Sequence, residues 1–175
     1  TLLYQLSTLR NTGLILIDMG NTLSDMKGSI KNYFNEDSNT VIELIINYIK
    51  KLKNSDNKNI KTVIYFQDFN KFKNKVDSKK LDEFAREVRY IDNISIIIVD
   101  DYKKIKKFEY DYWYKNIQND TDGIWIGTGL SDQNLFKLSK LTKEMSYSYK
   151  NNFGFVIVDG RADLIKTIEL DEYKV

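Results

Sequence analysis

Three short runs of this chain are almost wholly apolar: Leu14-Ile15-Leu16-Ile17, Thr62-Val63-Ile64-Tyr65-Phe66 and Ile94-Ser95-Ile96-Ile97-Ile98-Val99. Each is short for a helix and rich in β-branched or aromatic residues. None shows the polar-apolar alternation of a strand with one wet face. Strands of this kind are covered on both sides, as in a parallel sheet flanked by helices. The intervening sequence supplies helices. Ile42, Ile45, Ile46, Ile49 and Leu52 recur at helical spacing, and Thr40-x-x-Glu43 reads as a capping box in front of them. Leu81, Phe84, Ala85 and Val88 form a second helical face after a lysine-rich loop from Lys71 to Lys80. Strand and helix alternate, so the chain is predicted to be α/β, with a mostly parallel sheet and helices on both faces.

The remaining segments extend this pattern. Leu2, Leu3, Leu6 and Leu9 predict a short first helix that Gly13 ends, and Asp18 to Lys27 reads as a loop. Tyr102 to Ile117 is read as a helix, Ile124-Trp125-Ile126 as a short strand between glycines, and 132–141 as a short helix. Phe155 to Val158 and Arg161 to Leu170 read as two strands joined at Asp159-Gly160, a favoured two-residue hairpin turn. No Gly/Ser/Pro-rich linker divides the chain, so 1–175 is expected to be a single domain.

Composition removes several classes of chemistry. There is no Cys, His or Pro, which excludes disulfides, thiolate nucleophiles, Cys-based zinc sites and histidine-dependent proton transfer. With 27 basic and 25 acidic residues the net charge is +2, so a polyanion partner is not implied. The only arginines are Arg10, Arg86, Arg89 and Arg161. Specific DNA reading, which favours bidentate arginine, is therefore not expected. No apolar run approaches the ~20 residues that cross a bilayer. The chain opens Thr1-Leu2-Leu3 without a Met and reads as a fragment of something longer.

Four features could carry chemistry. The strand ending at Phe66 delivers Gln67-Asp68 to the carboxyl edge of the sheet, where open α/β sheets bind their ligands. There Asp68 either serves a hydrated Mg²⁺ or an attacking water, or caps a turn. Arg86, Glu87 and Arg89 are either a solvated helix face or a contact to a neighbour. Gly127-Thr128-Gly129 reads as a turn, because it lacks the Gly-Lys-Ser/Thr of a phosphate cradle. Lysines 103, 104, 106 and 107 are interleaved with Tyr102, Phe108, Tyr110, Tyr112, Trp113 and Tyr114. That mixture suits packing on the sheet, a protein-binding surface or a single-strand platform.

Taken in order, these segments resemble the FtsK/SpoIIIE ATPases, and more narrowly the last ATPase domain of the membrane protein that couples Gram-positive type VII secretion. Thr1-Leu2-Leu3 is similar to the residues that follow a Walker A motif, and Thr62 to Phe69 to the Walker B strand. Phe84 to Arg89 with Ile94 to Val99 resembles the next helix-strand unit. Gly123 to Gly127, Asp132-Gln133 and Gly154 to Ile168 resemble the family's C-terminal end.

The resemblance implies a RecA-like P-loop NTPase fold with ATP and Mg²⁺ as cofactors. It implies nucleotide contacts from Thr1, Gln67 and Asp68, and a catalytic role for Asp68. Two departures stand out. Gln67 occupies the place of the Mg²⁺-directing Asp, and Asp68 that of the catalytic Glu, one methylene shorter. The family reading is therefore a degenerate ATPase with weak or absent hydrolysis, on the cytoplasmic side of a plasma-membrane protein. Its implied partners are secreted substrate proteins and neighbouring ATPase domains of the same chain, with a hexamer as the family assembly and DNA as the alternative cargo of a translocase. No Walker A motif is present in the 175 residues, so the resemblance also implies a P-loop strand outside them.

Overall fold

Residues 2–54, 60–149 and 152–166 are described by the computed structural model. They form two units, one of residues Leu2–Ile117 and one from Gln118 onward.

In the first unit, β1 (Thr12–Asp18), β3 (Lys61–Gln67) and β4 (Ile94–Val99) are the three apolar runs. A short β2 (Asn32–Phe34) joins them in the order β2-β1-β3-β4, all parallel. β1 and β3 bury side chains on both faces, as predicted, and β4 packs half-buried ones on each face. On one face Leu14, Leu16, Val63 and Tyr65 pack with Leu3 of α1 (Leu2–Thr8). On the other, Ile15, Ile17, Ile64 and Phe66 meet α2 (Ser38–Lys53), α3 (Phe69–Lys73) and α4 (Ser78–Val88). Each large side chain buried this way contributes about 1.5–3 kcal/mol. Three ion pairs tie the outer surfaces of α2 and α4 together: Lys50–Glu83, Lys53–Glu87 and Lys80–Glu43.

In this unit local structure departs from expectation at the α2 cap, the 71–80 loop, the 102–117 helix and β4. The α2 cap is Asp37 rather than Thr40: its carboxylate accepts from the Asn39 N–H and the Thr40 hydroxyl. Thr40 thus lies inside the helix, and Glu43 is spent on Lys80. The expected loop from Lys71 to Lys80 contains the end of α3 and the start of α4. Helix 102–117 is broken into α5 (Tyr102–Ile105), a 3-10 turn (Lys106–Phe108) and α6 (Tyr112–Ile117). Phe108 and Trp113 are both buried against Phe69. On one continuous helix, residues five apart would point about 140° from each other, so the break is what brings both rings inward. Finally, β4 pairs only with β3 among the described residues, and none of its side chains is fully buried. It is covered less completely than its composition predicts, with Ile94, Ile96 and Ile98 packed on one face and Ile97 and Val99 on the other.

The second unit holds β5 (Gly123–Ile126), β6 (Phe153–Val158) and β7 (Arg161–Lys166), antiparallel in that order. The hairpin forms as expected, with Asp159 at φ 50° and Gly160 at φ 74° supplying the two left-handed residues. It belongs to its own three-stranded sheet rather than to the parallel one. Residues 167–170 of the expected last strand lie outside the described residues. No helix forms over 132–141, because its backbone finds other partners. The Phe136 N–H donates to Gln133 Oε1, Lys137 N–H to the Asp120 carbonyl, and Ser139 N–H to the Gly160 carbonyl. A small core of Leu130, Met145, Phe155 and Ile157 lies under the sheet. Among the described residues no helix is long and apolar enough to cross a membrane.

Candidate functional site at the carboxyl edge of the parallel sheet

β1 and β3 end in the polar residues Asp18 and Gln67, and Asp100 follows the end of β4. Register places Asp18 beside Gln67 and Gln67 beside Val99, so Asp18, Gln67-Asp68 and Asp100 line one edge. Side chains two apart on a strand share a face. Asp18 and Gln67 therefore fall on the same side as Leu16 and Tyr65, the side on which α1 packs. The Tyr65 hydroxyl donates to Gln67 Oε1 at 3.3 Å.

Asp18 is completely buried and has four donors. Its Oδ1 accepts from the Thr22 N–H and hydroxyl, both at 3.2 Å. Its Oδ2 accepts from the Leu23 N–H and the Tyr33 hydroxyl, both at 2.8 Å. Burial pushes its pKa up, but the bonds from Leu23, Tyr33 and Thr22 outweigh it and hold the carboxyl below its ordinary value. Tyr33 is pushed up to about 12 by burial and by its bond to Asp18. Tyr65 is pushed up to about 12 by burial and the nearby Asp18 charge. Asp18 thus clasps the 18–23 turn and β2 to the end of β1.

Asp68 adopts a left-handed backbone, φ 50°, which Asp tolerates better than most residues. It stands at the amino end of α3 without making a side-chain cap. Its Oδ2 pairs instead with Lys71 Nζ at 2.8 Å. Gly20 lies against this pair: a Cβ there would sit 2.4 Å from Asp68 Oδ2 and 2.6 Å from Lys71 Nζ. Both are flexible side-chain ends, and the pair is partly solvated. Gly20→Ala and Lys71→Ala are each expected to change stability by less than about 1 kcal/mol in urea titrations, through loss of a surface ion pair. A multi-kcal/mol loss would show the pair to be structural.

Asp100 is the third carboxylate. Its side chain is 1% exposed. Its Oδ2 accepts from the Asn70 N–H at 2.6 Å, and its Oδ1 from the Asp101 N–H at 2.8 Å and Lys104 Nζ at 3.0 Å. It joins α3 to the end of β4. The Lys104 ammonium is raised above its ordinary pKa by that bond and the Asp100 charge.

Of the residues singled out from sequence, the fold brings Gln67 and Asp68 together at this edge. Thr1 lies outside the described residues. Glu87 is spent on Lys53, and Arg89 donates to Asn116 Oδ1 at 3.0 Å, which is the solvated-face reading. Gly127 and Gly129 are turn glycines with φ 89° and 84°. Asp18 and Asp100 were missed, although their signal was present: each is the carboxylate that ends an apolar run.

This donor set does not fit a Mg²⁺ ion. Such a site uses one or two free carboxylates besides phosphate oxygens and waters. Here Gln67 is neutral and bonded to Tyr65, Asp68 is neutralised by Lys71, and Asp18 and Asp100 are engaged by backbone and side-chain donors. Among the described residues no three acidic side chains gather closely enough to hold a metal.

Neither a protein-family model nor a curated protein matches the sequence. Solved structures do match. A structure of the cytoplasmic domain of EssC aligns with a TM-score of 0.64 at 13% identity, covering 90% of this chain and 34% of that one. EssC ATPases 2 and 3 from Geobacillus thermodenitrificans align with a TM-score of 0.73 at 13% identity, covering 90% and 31%. This chain spans about a third of the structures it matches. With its helix-flanked parallel sheet and separate hairpin sheet, the chain has the α/β fold of an EssC-type ATPase domain.

Proposed function

We propose that this chain is a degenerate ATPase domain of a membrane-anchored type VII secretion coupling protein. In this reading it recruits substrate proteins or regulates neighbouring ATPase domains rather than driving rapid hydrolysis. The observation that carries the proposal is the pairing of an EssC-type fold with a carboxyl edge that presents Gln67 and a lysine-paired Asp68. A neutral amide attracts a hydrated cation less than a carboxylate does, and the shorter Asp68 reaches an attacking water less well than Glu. A misplacement of this size costs on the order of 100-fold in rate. The reading places the P-loop strand beside β4, which pairs with β3 alone among the described residues.

Calorimetry and turnover measurements on the full-length protein test this. ATP is expected to bind with an affinity that changes less than about twofold when Mg²⁺ is chelated, because the edge offers the metal no free carboxylate pair. Turnover is expected to rise by up to about 100-fold in the Gln67→Asp, Asp68→Glu double variant. Absence of ATP binding would remove the nucleotide site from the proposal. Rapid wild-type turnover, unchanged by Gln67→Asp, would remove the degeneracy.

A further inference from the structure

The break between α5 and α6 sorts the aromatic-basic segment into two populations. Phe108 and Trp113 go inward, with 3% and 2% exposure, while Tyr110 and Tyr112 stay out at 80% and 58%. Tyr90, just past the end of α4, is 78% exposed. The Arg89–Asn116 hydrogen bond ties the end of α4 to α6, next to Lys115. Exposed cations accompany these rings: Arg89 lies 5.5 Å from the Tyr90 centroid, Lys115 5.6 Å from Tyr110, and Lys106 5.9 Å from Tyr102.

Lys106 and Lys115 form no ion pair among the described residues, nor do the exposed Lys103 and Lys107. Lysines 50, 53, 71, 73, 80 and 104 of the same unit all have carboxylate partners. The segment 102–117 carries five lysines against two carboxylates, Glu109 and Asp111, the latter paired with Lys73, and so combines an excess of positive charge with large, rigid, half-polar rings, a composition that favours protein contact.

We propose that this face, built by Arg89, Tyr90, Tyr110, Tyr112 and Lys115 with Lys106 on the turn that precedes Tyr110, docks an acidic segment of another polypeptide. Charge complementarity selects the occupant. A single-stranded nucleic acid would need open ring faces on which bases stack, and here Tyr90 and Tyr110 already carry a cation against the ring. The one guanidinium present is engaged by Asn116, and the other cations are lysines, which lack the planar bidentate fork. Carboxylates approaching the ammonium groups, with apolar side chains resting on the tyrosine rims, use what remains exposed. The inference needs no nucleotide and stands apart from the degenerate-ATPase reading. Where that reading holds, this is the surface that receives an acidic substrate segment.

The test is fluorescence anisotropy on the full chain with a labelled 15-residue peptide of alternating glutamate and leucine. A lysine-leucine peptide and a 20-residue oligo-dT serve as competing probes. The acidic peptide is expected to bind, with affinity falling at least about tenfold in Lys106→Glu, Lys115→Glu and in Tyr110→Ala. The same charge change at the exposed Lys51 and Lys79 is expected to leave affinity within about twofold, since rim charges far from a contact act weakly through salt. Circular dichroism of each variant separates lost binding from lost fold, and Tyr110→Ala removes only an exposed ring. The proposal is overturned if the acidic peptide does not bind, if oligo-dT or the lysine peptide binds as tightly, or if reversal at Lys51 and Lys79 weakens binding as much as reversal at Lys106 and Lys115.

Discussion

Asp18→Ala is expected to lower stability by about 3 kcal/mol, measured from urea unfolding of the full chain with matched slopes. The substitution removes an acceptor shared by the Thr22 and Leu23 N–H groups and the Thr22 and Tyr33 hydroxyls. An orphaned buried donor costs about 1–3 kcal/mol, and several are orphaned together. Asp18→Asn keeps the shape but loses the charge, and is expected to cost about half as much, since charge-assisted bonds are roughly twice as strong as neutral ones.

The same residue sets a pH dependence. Its folded pKa is depressed, so its contribution is complete above the unfolded value of about 3.9 and disappears as pH falls through the folded value. Tyr33 and Tyr65 work in the opposite direction. Their folded values are raised to about 12, so their contribution is complete below about 10 and is lost as pH rises through about 12. Wild type is expected to lose stability at both extremes, and Asp18→Asn to show a shallower acid limb. Identical acid limbs would mean that Asp18 does not hold this turn as a carboxylate.

Phe66→Ala is expected to cost about 3–5 kcal/mol, the range for truncating a buried aromatic. Phe66 is fully buried, with ring centroids 5.2, 5.1 and 6.1 Å from Phe69, Phe72 and Phe84. It fastens β3 to α3 and α4 one residue before Gln67. Phe66→Leu, which keeps most of the volume, is expected to lose less than half as much and to keep the site in place. Comparing the two by urea unfolding and by ATP binding separates a loss of stability from a displacement of Gln67 and Asp68. A Phe66→Ala cost below about 1 kcal/mol would mean the aromatic cluster is not packed as described.

Lysine placement shows how far composition misleads. The run from Lys71 to Lys80 reads as a charged loop, yet Lys71, Lys73 and Lys80 each reach a carboxylate from helical or capping positions. Partners 37 residues apart, as in Lys80 and Glu43, leave no local trace. The same holds for 132–141, which reads as a short helix but whose Lys137 and Ser139 N–H groups are taken by the Asp120 and Gly160 carbonyls from elsewhere in the unit.

The β-branched runs at 14–17, 62–66 and 94–99 and the apolar stripes of α2 and α4 determined the α/β class and the parallel pairing by themselves. Periodicity and burial of such segments are written in neighbouring residues. They also determined that Gln67-Asp68 ends a strand, and Asp159-Gly160 determined the hairpin turn. Tertiary structure alone decided that the hairpin pairs with β5 in a separate sheet, that β4 is only half-buried, and that Phe108 and Trp113 break a helix to share one core. It alone decided that Asp18, Asp68 and Asp100 meet different partners at one rim. Those outcomes depend on which distant groups satisfy a backbone N–H, a ring or a charge, and that competition is resolved only when the layers close on one another.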